Sequence, residues 1–446
     1  MLSDNSPVGE KHHSSGVRMV RRLGLLALGL LSASFALADG IDDSFQPYER
    51  GAPQIPGMDK GGVISKQNVD QFREFLDPAM LDMIGKGWVE ITVRPTTSLS
   101  IEPSYIEATR RHASATKLGS KAGELANYVG GRPFPEEPKA SDPRAGEKIA
   151  WNFRYRQGDG FAFRPLHWKY IDMATGKVER LLRVEVQTLK YKHRTRENPI
   201  PDIFPNSSNL YFASYLKVLG PSDLKNTQLL IQRFEDEARQ DDAYLYMGFQ
   251  KRVRRLATGQ TTDAFLGSDV MIEDFDGYNA RVAEMKWTFK DTRNLLMPFF
   301  NHDELKLSNE FPEPDGFQYV AFSGQGGCFP EVHWQLRKVH VVEAEPLRDS
   351  HPVSKRVFYF DAQTNEIARS SIFDRRGTLW KTAILAKSHP DHHLPVNRGS
   401  GSPISDAGAM IDVQAQHCST AQFKQLAVPS LSTPAMFEVQ WLRGGD

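Results

Sequence analysis

The sequence has no charge excess: Lys plus Arg and Asp plus Glu each total 55 of 446 residues. A nucleic-acid-binding domain normally gathers a basic surplus on one face, so this balance speaks against that class. Cysteine is scarce, with only Cys328 in "GQGGCFPE" and Cys418 in "AQHCST". Neither sits in a Cys-x-x-Cys redox motif, and metal-type spacing is absent. Past residue 38 there is no G-x-S-x-G, no H-E-x-x-H, no P-loop and no helix-opening G-x-G-x-x-G, which weighs against the enzymes those motifs mark. Nor does any apolar stretch in that part reach the roughly twenty residues a membrane-spanning helix needs. No internal repeat occurs.

What is present begins with an export pattern. Residues 18–38, "RMVRRLGLLALGLLSASFALA", place three arginines before an apolar run from Leu23 to Phe35 and end on Ala36-Leu37-Ala38. Positive flank, short apolar core and small-residue exit are the layout of a secretory signal, with cleavage expected after Ala38. The Arg21-Arg22 pair matches the twin-arginine export pattern only in part. Residue 39 is Asp, so the exported form has no N-terminal thiol for a lipid anchor and is expected to be soluble. Residues 1–17 precede the charged segment and take no part in the fold reading. In an oxidising compartment Cys328 and Cys418 either form a disulfide or remain as two buried thiols, and the sequence leaves both open.

Residues 39–62, rich in Gly, Pro and Asp, read as an extended arm. Residues 63–446 read as one domain: 63–135 partly helical, 150–388 a curved β-sheet, 389–446 loop-rich. In "SKQNVDQFREFLDPAMLDMIGKG", Ser65 is a candidate N-cap, Val69, Phe72, Phe75 and Leu76 share a face, and Pro78 breaks or restarts the helix. A second helical stretch runs from Pro103, is interrupted near Gly119 and stops at Gly130-Gly131; "WVEITVRPT" between them reads as a strand. From Trp151 the period becomes two. "HWKYIDMATGKVERLLRVEVQTLKY" reads as a hairpin, and "RVFYFDAQTNEIARSSIFDRRGTLWKTAIL" as a meander with turns at "AQTNE" and "DRRG". The expected fold is mainly β with minor α: a large curved antiparallel sheet forming a half-open barrel, with helices and loops over its concave side. Aromatics two apart, such as Trp151, Phe153 and Tyr155, Trp168 and Tyr170, or Tyr244 and Tyr246, put large rings on one side of a strand. They belong either to an ordinary core or to the wall of an apolar ligand cavity.

Two clusters carry charge. "SHPDHHLPV" holds His389, Asp391, His392 and His393, residue types that suit a first-row metal but stand too close together to converge easily on one ion. A solvated loop is the plainer reading. His333 and His340, seven apart in a strand, face opposite ways and make poor joint ligands. "KRVRRLATGQTTDAFLGSDVMIEDFDGY" sets Arg252 and Arg254 on one face with Leu256, and Val253 and Arg255 on the other. An arginine on an apolar face requires a carboxylate partner, and Asp269, Glu273 and Asp274 are the candidates. The run is either a charge network holding a long loop to the sheet or a rim that grips an anionic head group.

The stretch "DDAYLYMGFQKRVRRLATGQTTDAFLGSDVMIEDFDGY" resembles periplasmic proteins like those that sort outer-membrane lipoproteins (LolA/LolB-like). "PSYIEATRRHASATKL", "LANYVGGRPFPEEP" and "AGEKIAWNFRY" are similar to the long branch of that group, the proteobacterial domain of unknown function 1329, and the resemblance covers nearly the whole chain after residue 38. It implies a half-closed sheet around an apolar hollow and a periplasmic location. It also implies a hydrophobic or acylated small molecule as partner, and association with an RND-family inner-membrane transporter or an outer-membrane component. The chain is about twice the size of the short carriers, so their cargo does not carry over.

The leading functional reading is a non-enzymatic binding or carrier protein that uses no cofactor. Arg252, Arg254, Arg255, Tyr244, Tyr246, Trp168 and Tyr170 are the candidate ligand contacts. A metal-dependent hydrolase built on the His389–His393 cluster and a non-catalytic envelope scaffold are the alternatives.

Overall fold

Sixteen strands join in one mixed sheet in the computed structural model, which describes residues 40–58, 60–257, 261–427 and 432–444. The expected signal segment and its cleavage point lie outside the described residues. In chain order the strands are β1 (Gly62–Ile64), β2 (Ile91–Val93), β3 (Ala162–Asp172), β4 (Lys177–Lys190), β5 (Leu210–Gly220), β6 (Gln228–Phe234), β7 (Asp242–Met247) and β8 (Arg252–Arg255). They continue with β9 (Met285–Met297), β10 (Phe299–Phe300), β11 (His333–Pro346), β12 (Val353–Asp361), β13 (Ile367–Asp374), β14 (Leu379–Ser388), β15 (Ile404–Asp412) and β16 (His417–Leu426). Their order across the sheet is β1-β2-β11-β12-β13-β14-β15-β16-β3-β4-β5-β6-β7-β8, with β9 along β11 and β10 along β14. Pairing is antiparallel except at β2–β11 and β10–β14. The sheet is therefore two meanders, β3–β8 and β11–β16, stitched where β16 runs along β3 from His417↔Asp172 to Leu426↔Ala162.

One turn device recurs at the hairpins. An Asp at the strand end folds its carboxylate back onto backbone N–H groups of the turn, the geometry that short acidic side chains favour. Asp172 accepts from Ala174 and Thr175, Asp374 from Arg376 and Thr378, Asp412 from Gln414 and Ala415, and Asp361 from Thr364. Three of these turns close the hairpin and meander expected at "ATGK", "AQTNE" and "DRRG". The fourth joins β15 to β16, inside the segment expected to be loop-rich. That expectation is corrected: both strands sit mid-sheet, and their Ala, Gly, Ser and Gln content lacks the β-branched signature that marks a strand.

Other boundaries also move. Trp151 and Phe153 lie not in a strand but in a helix, Ala145–Arg154, whose residues Ile149, Ala150 and Phe153 are buried. The helix from Pro103 ends at His112 rather than near Gly130. The 39–62 arm is not free: residues 40–45 are helical, and Ile41 and Phe45 pack with Ile101 and Tyr105. Pro78 opens a new helix, Pro78–Gly85, because Asp77 caps it through the Met80 N–H at 3.0 Å and Pro fits the first turn.

The sheet has cores on both faces. On the convex side, the Pro78–Gly85 helix and β1–β2 share one core with Ala407, Ala409 and Ile411 of β15, which also holds the Cys328–Cys418 disulfide. Phe437 and Leu442 cover β5 and β6 farther along. On the concave side, the Ala145–Arg154 helix packs Trp151 and Phe153 onto Val342, Phe358, Phe360 and Ile367.

Candidate functional site

Seven neighbour steps separate β13 from β6, a distance of about 34 Å in a flat sheet at ~4.8 Å per step. Ser370 of β13 and Leu229 of β6 nevertheless line the same cavity, of about 280 Å³. The concave face curls around it. Phe163, Leu166 and Trp168 of β3, Val186 of β4, Leu216 of β5 and Phe423 of β16 form the apolar wall. Room is left by small residues opposite them, Gly408 of β15 and Ala421 of β16; a Cβ at Gly408 would stand 3.3 Å from the Phe423 ring. Val186, Ala421 and Phe423 stay only half-buried although their strands are interior to the sheet.

The acid-rich segment 263–279 crosses this trough as a strap. Phe265 and Ile272 pack into the trough's cluster, and Phe275 lines the cavity. Trp168 stacks beside Phe265 with centroids 6.0 Å apart. Polar bonds pin the strap at several places. The Asp269 N–H donates to Ser419 Oγ at 2.9 Å, and the Ser419 hydroxyl donates to Asp269 Oδ2 at 2.7 Å. His417 Nδ1 lies 2.8 Å from the same carboxylate, and Lys381 Nζ donates to the Asp269 carbonyl at 2.6 Å. Arg356, buried on β12, bonds Asp274 at 2.6 Å and also Glu273, which has His351 Nε2 at 3.1 Å. Arg156 holds Asp276. Burial pushes the Glu273 carboxyl up, but Arg356 and His351 overcome this and hold it below the usual carboxylate value.

Asp269, Glu273 and Asp274 thus form a charge network that fixes a long loop to the sheet, but with different partners from those expected. The arginine run lies elsewhere. Arg252, Arg254 and Arg255 are exposed on β8, the edge strand; Arg255 pairs with Asp242, and Arg254 bonds Gln250 at 3.2 Å. The strand faces assigned to them hold, yet a side chain at the sheet edge reaches water and requires no buried acid. The arginine that did require one is Arg356, whose sequence context, "SKRVFYF", shows nothing beyond an ordinary strand. Of the seven candidate ligand contacts only Trp168 lines the cavity. Tyr244 and Tyr246 pack on the opposite face with Phe437, and Tyr170 turns its hydroxyl toward the Leu266 carbonyl at 3.4 Å.

One end of the cavity is polar. Arg156, Lys387, Asp276 and Glu366 form a closed quartet there: Arg156 bonds both acids, and Lys387 lies 2.9 Å from Glu366 and 3.9 Å from Asp276. Lys190, Arg196, Asp159 and Ser402 line the same cavity. A second hollow, of about 530 Å³, lies against Arg132, Glu136, Lys148, Lys338 and His340. It is larger, but its charged walls suit an apolar molecule poorly.

The histidine cluster disperses. His389 Nδ1 accepts from the Asp391 N–H at 3.2 Å, and His392 Nδ1 faces Asp303 at 3.1 Å. Only His393 joins a metal-type group, with His302 and Asp406. Its ring state is set by Asn397, whose Oδ1 accepts from the Ala427 N–H and whose Nδ2 donates to the Gln425 carbonyl and to His393 Nδ1. Nδ1 is therefore the acceptor and Nε2 carries the proton, directed at Asp406 3.4 Å away, so this ring offers a metal no lone pair. Burial raises the Asp406 carboxyl, but His302 and His393 bring it down to about 2. The trio is a buried polar cluster in which His302 Nδ1 lies 2.7 Å from Asp406. The cysteines resolve the other open question, since Cys328 and Cys418 form a disulfide.

Residues 63–443 match the family model described as "Protein of unknown function (DUF1329)", and the chain belongs to that family. An uncharacterized protein of Pseudomonas aeruginosa is 28% identical over 351 residues, 75% of this chain and 70% of that protein. A DUF1329 family protein from Desulfovibrio piger is similar in structure over 68% of this chain and 100% of its own, at 14% identity and a TM-score of 0.47. A domain from Vibrio parahaemolyticus, assigned provisionally to outer membrane lipoprotein sorting, shows 15% identity over 68% of this chain and 100% of its own, with a TM-score of 0.46.

Proposed function

We propose that this DUF1329 member is a periplasmic binding or carrier protein whose cargo, a hydrophobic or acylated small molecule, lies in the trough. The observation that carries the reading is an apolar cavity of about 280 Å³ in the middle of the sheet, on whose wall Val186, Ala421 and Phe423 stay half-buried. Each methylene moved there from water contributes about 0.8 kcal/mol, so several carbons suffice for binding without any reactive group. The leader-like segment at 18–38 and the Cys328–Cys418 disulfide both suit an oxidising compartment outside the cytoplasm. Among the described residues no helix is long and apolar enough to cross a membrane. Delivery to, or receipt from, an RND-family transporter or an outer-membrane component is the proposed context.

The metal-dependent hydrolase has little support, since His389, His392 and His393 take separate partners. The scaffold reading differs from the carrier in needing no cargo. Solvent extraction of natively purified protein, followed by mass spectrometry, separates them. An enriched apolar molecule at near-stoichiometric amount is expected; none in the extract, with an apolar fluorescent probe also failing to bind, would favour the scaffold.

A further inference from the structure

The polar end of the trough holds cations that its acids do not neutralise. Once the Arg156–Asp276–Glu366–Lys387 quartet is set aside, Lys190 and Arg196 remain without a carboxylate within ion-pairing distance among the described residues. Lys190 is 7% exposed, and among the described residues its ammonium donates only to the Arg156 carbonyl, at 3.2 Å. Burial lowers it to about 8, with Asp159 opposing and Arg156 and Arg194 adding to the fall. Asp159 is engaged elsewhere: its oxygens accept the backbone N–H groups of Thr195, Arg196 and Glu197 at 3.3, 2.9 and 2.9 Å.

The loop through residues 156–160 brings these groups together. Lys190 bonds Arg156, Arg196 is tied to Asp159 through its backbone, and Ser402 Oγ lies 3.5 Å from where a Cβ on Gly158 would sit. The Ser402 hydroxyl is buried with no partner among the described residues. A buried ammonium with one bond and a buried hydroxyl with none are donors in want of acceptors, and unmet donors in a dry site are costly.

We propose that the cargo is a single-chain amphiphile with an anionic head, its carboxylate or phosphate on Lys190, Arg196 and Ser402 and its chain along Leu166, Leu216 and Phe423. This rests on the carrier reading and adds the chemistry of the head. One chain is favoured because the cavity, about 280 Å³, lies just below the ~300–1,000 Å³ range of ligand sites. No bond is made or broken.

The test is displacement of the apolar fluorophore N-phenyl-1-naphthylamine from the full chain by dodecanoate, dodecyl phosphate, dodecanol, dodecyltrimethylammonium and inorganic phosphate. Wild type should prefer the two anionic chains to dodecanol by about tenfold or more, the scale of one charge-assisted hydrogen bond. Inorganic phosphate alone should leave the probe in place. Lys190→Met should reduce the preference to about twofold or less while dodecanol still binds, and Lys190→Arg should keep it. Equal displacement by dodecanoate, dodecanol and dodecyltrimethylammonium in wild type, or a preference unchanged in a folded Lys190→Met, Arg196→Gln variant, would overturn the head-group assignment while leaving the carrier reading standing. If no chain displaces the probe, or the probe does not bind, the carrier reading itself fails. Should Lys190→Met not fold, Ser402→Ala and Arg196→Gln supply the same comparison.

Discussion

The concave face has two halves made from similar strands and put to different ends. Over β11–β13 the helix Ala145–Arg154 fills the curve, and Phe358, Phe360 and Ile367 are fully buried under Trp151 and Phe153. Over β15–β16 and β3–β6 no α-helix descends among the described residues. A strap crosses instead, and Gly408 and Ala421 stand where larger side chains would close the gap. The filled half shows that this chain can close such a curve with its own rings. The hollow half is thus a place where it does not, and the polar bonds holding the strap are what keep that place covered.

Changes that should separate the halves run from large effects to small. Removing the disulfide with a Cys328→Ser, Cys418→Ser pair opens a 90-residue loop behind the hollow half, which on the chain-entropy model costs about 4 to 5 kcal/mol; denaturant unfolding should show the loss, and unchanged stability would mean the back wall needs no tie. Arg356→Leu strands Glu273 and Asp274 as buried acids, worth roughly 3 to 5 kcal/mol, and should raise proteolysis of the strap before the rest of the chain. Phe360→Ala in the filled half should cost about 3 to 5 kcal/mol, whereas Phe423→Ala, already facing empty space, should cost about half as much or less; equal losses would erase the distinction.

Titration offers a finer contrast. Burial, aided by Lys338 and Arg132, lowers His340 in the filled half to about 3. The unfolded chain takes up that proton near pH 6.5 and the folded one does not, so this site withdraws stability as pH falls from about 6.5 toward 3. Lys190 in the hollow half acts at the other end of the scale. Its proton leaves the folded chain near 8 and the unfolded chain near 10.5, so stability should rise with pH across that interval. Urea midpoints of His340→Gln and Lys190→Met against wild type, taken across pH, should each flatten one of these slopes.

Much of the sheet was legible where period-two runs meet at recognisable turns, as at "ATGK", "AQTNE" and "DRRG". The strands that make the hollow were not. "ISDAGAMID" is small-residue-rich, with Gly408 leaving space on the hollow side and Ala407 and Ala409 packed on the other, and that smallness removes the β-branched pattern by which a strand is recognised. A signal did exist: "MIDVQAQH" carries the strand-end Asp found in "YIDMATGK", "YFDAQTNE" and "IFDRRGT". Trp151, Phe153 and Tyr155 misled because two-residue spacing over five positions fits a helix flank as well as a strand. The acids of the strap could be picked out as a network, but their partner Arg356 comes from a strand 82 residues away, a distance that no local pattern encodes.

The most direct measurement is a titration of wild-type protein and an Ala421→Trp variant with N-phenyl-1-naphthylamine, following its fluorescence. A tryptophan at 421 projects into the cavity between Trp168 and Phe423 without disturbing the filled half. One saturable site in wild type, weakened at least about tenfold in a variant of near-native stability, is the predicted result. Saturable binding of equal strength in both proteins, or none in either, would contradict a cargo held in the trough.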